Sequence, residues 1–181
     1  MKKLQLAMAL GMALASGSVF AANQGHGTVN FKGEIIDAPC SISADSVEQT
    51  VDLGQVTSSA LAKGGKSQPR EFRIKLEDCD VTGLMKKTVT ATFTGKAASF
   101  DSTSTLLALS GTASGAAIAI TDNDDKAIKL GTPSTAYTFV NASTEANLLY
   151  SAYLQGAADN TANPIVPGQF TSVANFTLAY E

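Results

Sequence analysis

Few residues in this chain have the chemistry for catalysis or metal binding. The cysteines are Cys40 and Cys79, and the single histidine is His26. Two separated thiols and one distant imidazole do not make up the four ligands of a tetrahedral metal site. A hydrolytic triad needs its imidazole held rigidly between a nucleophile and an acid, whereas His26 lies between Gly25 and Gly27. Carboxylate pairs can work without histidine, but no Asp/Glu pair here has a context that marks it for that role. Asp122, Asp124 and Asp125 suggest a calcium loop, yet the bidentate Glu that closes such a loop is absent. They read instead as a solvated hairpin turn. Gly65-Lys66-Ser67 resembles the tail of a phosphate-binding loop, but Ala60 stands where the first Gly is required. Gln68-Pro69 then leads into a strand rather than the helix whose N-terminus would bind phosphate. The expectation is a chain with no enzymatic activity, no metal and no cofactor.

The elements around these residues explain more. The chain has 181 residues, enough for one domain with its own core. Its charged fraction is 16%, low against about 25% in average globular proteins. The net charge of −3 argues against nucleic acid or an anionic membrane as a general partner. At the N-terminus, Lys2 and Lys3 precede an apolar run over residues 4–15, and Val19-Phe20-Ala21 carries small residues at the positions a signal peptidase reads. This predicts a signal peptide over 1–21 and export; loss of the two lysines takes the net charge from −3 to −5. In an oxidising compartment Cys40 and Cys79 are expected to pair. Closing a loop of that length stabilises a fold by roughly 4 kcal/mol on the chain-entropy estimate.

Past residue 25 the hydropathy pattern has period two, the mark of strands with one buried face. Residues 28–36, 72–77 and 88–94 alternate, 148–154 and 170–180 read as two further strands, and short apolar runs at 116–121 and 126–130 flank the Asp122 turn. No stretch beyond a single turn near 58–63 has helical periodicity. Strands joined by Gly, Ser, Asn and Pro clusters, without intervening helices, predict an all-β sandwich. Two segments sit awkwardly in a closed sandwich. One is the arm containing Gly27, Val29 and Phe31. The other is a C-terminal strand with Phe170, Ala174, Phe176, Leu178 and Tyr180 on one face that runs to Glu181. An unprotected edge there invites pairing, either within the molecule or with another chain.

The joint pattern resembles the pilin subunits of chaperone–usher fimbriae, in detail the major subunits of the P and mannose-resistant kinds. It is carried by residues 27–33, by 37–42 with Cys40, and by Val51-Asp52-Leu53-Gly54-Gln55. Cys79, residues 128–131 and 152–155, Gly168 and the penultimate Tyr180 complete it. The resemblance implies an incomplete immunoglobulin-like β-sandwich that lacks its seventh strand and is completed by donor-strand exchange, a recognised form of strand addition. It implies a signal peptide at 1–21, a donor arm at 22–33 and a pilin domain at 34–181. Gly27, Val29 and Phe31 would be the donor residues. Gly168, Phe170, Ala174, Phe176, Leu178 and Tyr180 would belong to the C-terminal strand that chaperone and donor arm recognise. Gly25, two residues before Gly27, would offer no bulky side chain where exchange begins.

The implied partners are identical subunits in a head-to-tail polymer, a periplasmic chaperone, an outer-membrane usher, and tip and adapter subunits. The implied location is the cell surface, in a fimbria that supports adhesion. A self-contained secreted carbohydrate-binding sandwich is the alternative. An aromatic content of 7% with no Trp is poor material for a sugar platform.

Overall fold

The computed structural model describes residues 26–140 and 143–181. The expected signal peptide at 1–21 and residues 22–25 of the arm, including Gly25, lie outside the described residues. The chain divides into two units between Ile35 and Ile36. In the first, residues 26–35 form no strand or helix, and Val29 and Phe31 are exposed at 74% and 92%.

The second unit is a β-sandwich. Ten strands follow one another: β1 (Ser41–Ile42), β2 (Arg70–Glu77), β3 (Thr88–Gly95), β4 (Leu106–Ala108), β5 (Ser110–Gly111), β6 (Ala116–Thr121), β7 (Tyr137–Thr138), β8 (Ala146–Gly156), β9 (Phe170–Thr171) and β10 (Ala174–Tyr180). One sheet has the order β1-β2-β8-β6-β4, a second β10-β3-β7, and β5 pairs with β9 in a small third sheet. All named pairings are antiparallel. The core lies between the first two sheets, where Ile74, Leu76, Leu148, Tyr150 and Ile120 meet Val89, Ala91 and Phe93. Strict alternation places Ile74 and Leu76 inward and Arg73 and Lys75 outward, as a half-buried strand requires.

Several expectations are corrected. The period-two pattern at 28–36 forms no strand, because an extended segment is a strand only when a neighbour accepts its hydrogen bonds. The expected single strand from Phe170 to Tyr180 breaks at Ser172 and Val173. Phe170 belongs to β9 against β5, and only Ala174–Tyr180 pairs with β3. The second arm of the Asp122 hairpin forms one bridge, Thr121 to Ala127, rather than a strand. Two one-turn helices appear, α1 (Ala44–Val47) and α2 (Ser58–Leu61), the second near the anticipated turn and capped by Thr57, whose hydroxyl accepts from the Ala60 N–H.

Cys40 and Cys79 form the expected disulfide. It ties the residue before β1 to the loop after β2, and the Asp80 N–H donates to the Pro39 carbonyl beside it at 2.8 Å. Elsewhere, the loop over 98–106 covers a small cluster of Ala98, Leu106, Ala117, Ala119 and Tyr153. Asp101 organises that loop. Its carboxylate accepts from the N–H groups of Thr103, Thr105 and Leu106 at 2.9, 2.6 and 2.7 Å, and from the Thr103 hydroxyl. Burial pushes the Asp101 carboxyl up, but these donors outweigh it and hold it down at about 2.

Cys40→Ser is expected to remove about 4 kcal/mol from a total stability typically of about 5–15 kcal/mol. Soluble exported chain should fall sharply in an immunoblot of periplasmic extract, and wild-type yield would count against it. The Asp101 carboxyl sits lower in the folded chain than in the unfolded one. Its contribution is therefore present above the ordinary value of 3.8 and lost as pH falls toward about 2. Urea unfolding at stepped pH should show Asp101→Asn destabilised at neutral pH, with the gap to wild type closing between those two values.

Candidate functional site

The last strand leaves half of its backbone unused. Thr88 and Glu181 exchange both backbone hydrogen bonds, each at 3.0 Å. In an antiparallel ladder such pairs alternate, so with the observed register Ala179, Thr177 and Asn175 also bond to β3. Ala174, Phe176, Leu178 and Tyr180 then turn their N–H and C=O groups the other way, to the outer edge of the sheet, where no strand lies beside them among the described residues. These four residues also carry the half-buried side chains of β10, while Asn175, Thr177 and Ala179 are exposed. Burial of its ring raises the Tyr180 hydroxyl above its ordinary value.

Beside this edge the sandwich is open. A cavity of about 1380 Å³ runs between two walls. One wall is formed by Ile42 and residues 46–56, and the other by 165–176. Between the walls, Phe72, Phe93, Leu107, Leu109, Ile118 and Leu154 line the groove. Phe72 and Ile118, which a closed sandwich would bury, are only partly covered. An aromatic cluster braces the groove from beneath. Phe93 stands edge-on to Tyr150 at 4.9 Å between ring centres and to Phe72 at 6.2 Å, and lies 6.4 Å from Phe176. Such contacts add about 0.5–1.5 kcal/mol each beyond area burial, and here they join β2, β3, β8 and β10.

The second wall is held by close backbone approach. A Cβ at Gly168 would lie 2.4 Å from the Thr112 hydroxyl and 2.6 Å from the Ala113 nitrogen. The Thr112 N–H donates to the Gln169 carbonyl at 3.0 Å, and the Gln169 N–H donates back to the Thr112 hydroxyl at 3.1 Å. Gly168 and Phe170 therefore belong to this seam between residues 110–115 and 164–171, not to β10. The hydrophobic wall residues Val56 and Leu61, and Ile165 opposite, carry no sequence signal, and Val51 and Leu53 are marked only by the resemblance. They sit in irregular backbone or a single helical turn, where no periodicity marks them. Leu53 within Val51-Asp52-Leu53-Gly54-Gln55 was the available signal.

The remaining candidates resolve simply. Asp122 accepts from the N–H groups of Asp124 and Lys126 and from the Thr135 hydroxyl at 2.7 Å, so its oxygens serve the turn. At Gly65-Lys66-Ser67 the Gly65 and Ser67 N–H groups donate to the carbonyls of Ala62 and Leu154, which leaves no amide cradle for phosphate. His26 is exposed, and among the described residues no cluster of potential ligands forms a metal site. The arrangement pairs an apolar groove with an open strand edge, a geometry suited to an extended chain with apolar side chains on one face.

Comparison with known proteins agrees with that geometry. The fimbrial protein family model matches residues 29–181. The chain is 50% identical to the Fimbria A protein of Serratia marcescens, over 100% of this chain and 99% of that protein. It is 48% identical to the major MR/P fimbria protein of Proteus mirabilis, with the same coverage. The crystal structure of the P pilus rod subunit PapA is 34% identical, with a TM-score of 0.69 over 80% of this chain and 100% of that one. A subunit in the structure of a chaperone–usher pilus, at 35% identity, has a TM-score of 0.75 over 87% and 97% of the two chains.

The glycine seam makes the groove wall sensitive to any side chain at Gly168. Gly168→Val is expected to lift residues 165–171 from residues 110–115 and cost about 1–3 kcal/mol, the usual range for overpacking. The urea midpoint should fall and binding of an apolar fluorescent dye should rise. An unchanged midpoint would refute the role given to Gly168.

Proposed function

The chain belongs to the fimbrial protein family, and from that membership we propose that residues 22–33 of one copy fill the groove of the next. The protein is a structural, non-enzymatic subunit of an extracellular fimbria, and it assembles with other subunits. The observation that carries the mechanism is the unpaired outer edge of β10 beside an apolar groove. The arm supplies a matching occupant. Gly27, Val29 and Phe31 alternate with Thr28 and Asn30, so an extended arm presents one apolar and one polar face. Burying Val29 and Phe31 contributes about 1.5–3 kcal/mol each, and pairing with Ala174, Phe176, Leu178 and Tyr180 satisfies the open edge. Gly27 has nothing within 4 Å of the place a Cβ would take; in a neighbour's groove the missing side chain lets backbones approach closely.

An open groove is also a hazard before assembly, because unpaired strand edges and bare apolar surface drive aggregation. In this proposal a periplasmic chaperone lends a strand to β10 until the outer-membrane usher brings the next subunit's arm. Cleavage after Ala21 frees the arm, and residues 34–181 remain as the receiving domain. Tip and adapter subunits join through the same groove-and-arm contact.

Deleting residues 22–31 separates this mechanism from a sandwich closed on itself. Co-expressed with its chaperone, the truncated chain is expected to form a soluble complex, because its groove and β10 are intact. It should leave cells without fimbriae in electron micrographs when it is the only rod subunit. Abundant fimbriae built from the truncated chain would falsify the proposal, and an insoluble chain despite the chaperone would point to an arm that completes its own sandwich.

A further inference from the structure

Apolar alternation leaves one question about such an arm unanswered. A slip of one residue turns Val29 and Phe31 out to solvent and is forbidden by burial. A slip of two residues keeps the same face inward. Charge separates these registers. Of all the residues that line the groove, only Glu48 and Asp52 are charged; both are acidic, both are exposed and both stand on the same wall. Among the described residues neither forms an ion pair with Lys or Arg. The opposite wall, residues 165–176, carries no charge at all. In the arm, the outward face of an extended strand is Thr28, Asn30 and Lys32, with Glu34 following in the same phase just beyond it and Lys32 the one Lys or Arg between residues 26 and 35.

We propose that Lys32 of one subunit pairs with Glu48 and Asp52 on the groove wall of the next, and that this contact fixes the register of the inserted arm. The inference rests on the arm-in-groove reading above. In the register that sets Lys32 against the acidic wall, Glu34 lies two residues, about 7 Å, farther along the arm. A two-residue slip in one direction sets Glu34 against the same carboxylates and is repelled. The opposite slip offers the neutral Asn30. One cation followed by one anion thus adds a charge preference for the register that also brings Gly27 to the close backbone approach. The pair sits at the solvent-facing rim of the groove, so its strength belongs to the range of exposed ion pairs and is weakened by salt.

The test uses polymer assembled from the full chain and purified from cells, with the rate of urea-driven dissociation followed by size-exclusion chromatography. Lys32→Glu is expected to speed dissociation about two- to five-fold, as is Glu48→Lys, in keeping with a rim ion pair. Combining the two reversals should restore most of the wild-type rate. Asp52 is left unchanged in this set because its carboxylate also accepts from the Gly54 N–H at 2.8 Å. As a second measurement, wild-type polymer is expected to dissociate faster as salt rises from about 20 to 500 mM, and Lys32→Gln should remove that dependence. Polymer whose dissociation ignores Lys32→Glu, or a double reversal no slower than the single ones, overturns the pairing while leaving arm exchange standing. Failure of the wild-type chain to polymerise overturns both.

Discussion

Ala174, Phe176, Leu178 and Tyr180 each direct a side chain toward the core while their backbone N–H and C=O groups face the unpaired edge of the sheet. Buried peptide groups must find partners, and apolar surface must be covered. Neither demand is met by the sandwich that carries them. The two deficits coincide because a β-strand turns its side chains and its hydrogen bonds in perpendicular directions. One incoming extended strand remedies both at once, whereas a helix or loop could cover the apolar surface and still leave the ladder open.

The rest of the domain keeps that deficit from collapsing. A groove of this size would shrink if its walls could drift together, since voids cost packing energy. The aromatic cluster of Phe72, Phe93, Tyr150 and Phe176 holds the two sheets apart across the base of the groove. The glycine seam at Gly111, Gly115 and Gly168 fastens one wall to the loop opposite, at distances where side chains would meet backbone. On the other side the disulfide anchors residue 40 beside β2, so the irregular wall over 46–56 starts from a fixed point. These contacts brace the walls around the opening, and a groove shaped in advance lowers the ordering cost of any strand that enters it.

How much of this was legible in the sequence depends on which force decided each segment. Residues 72–77 and 88–94 read as strands and form β2 and β3, because alternating β-branched and apolar residues determine both the local geometry and the buried face. Residues 28–36 have the same pattern and form no strand, since periodicity records what a segment can pair with and not whether the partner is in the same chain. The break between Phe170 and Ala174 was hidden for a different reason. Ser172 and Val173 are ordinary strand residues, and the strand changes sheets there because Phe170 packs near Leu53, Leu61 and Leu154 while Phe176 packs with the main core. The wall over 46–56 was the least legible part of the site. Its Val51, Leu53 and Val56 face the groove from irregular backbone, where inward and outward positions follow no fixed period.

A chain of this kind divides its stability between two states. By itself it presents an open apolar groove and an arm whose Val29 and Phe31 are exposed to water. In the proposed arm-in-groove contact, a neighbour would bury that arm and pair with the edge of β10. Such an interface would be a piece of the fold moved onto another molecule, with a strength set by a strand's worth of core rather than by a surface contact. The direction of growth follows from the same asymmetry. If each copy gives its arm to the groove of the next, the contact is head-to-tail, and such contacts extend into a filament unless the rotation returns to its start.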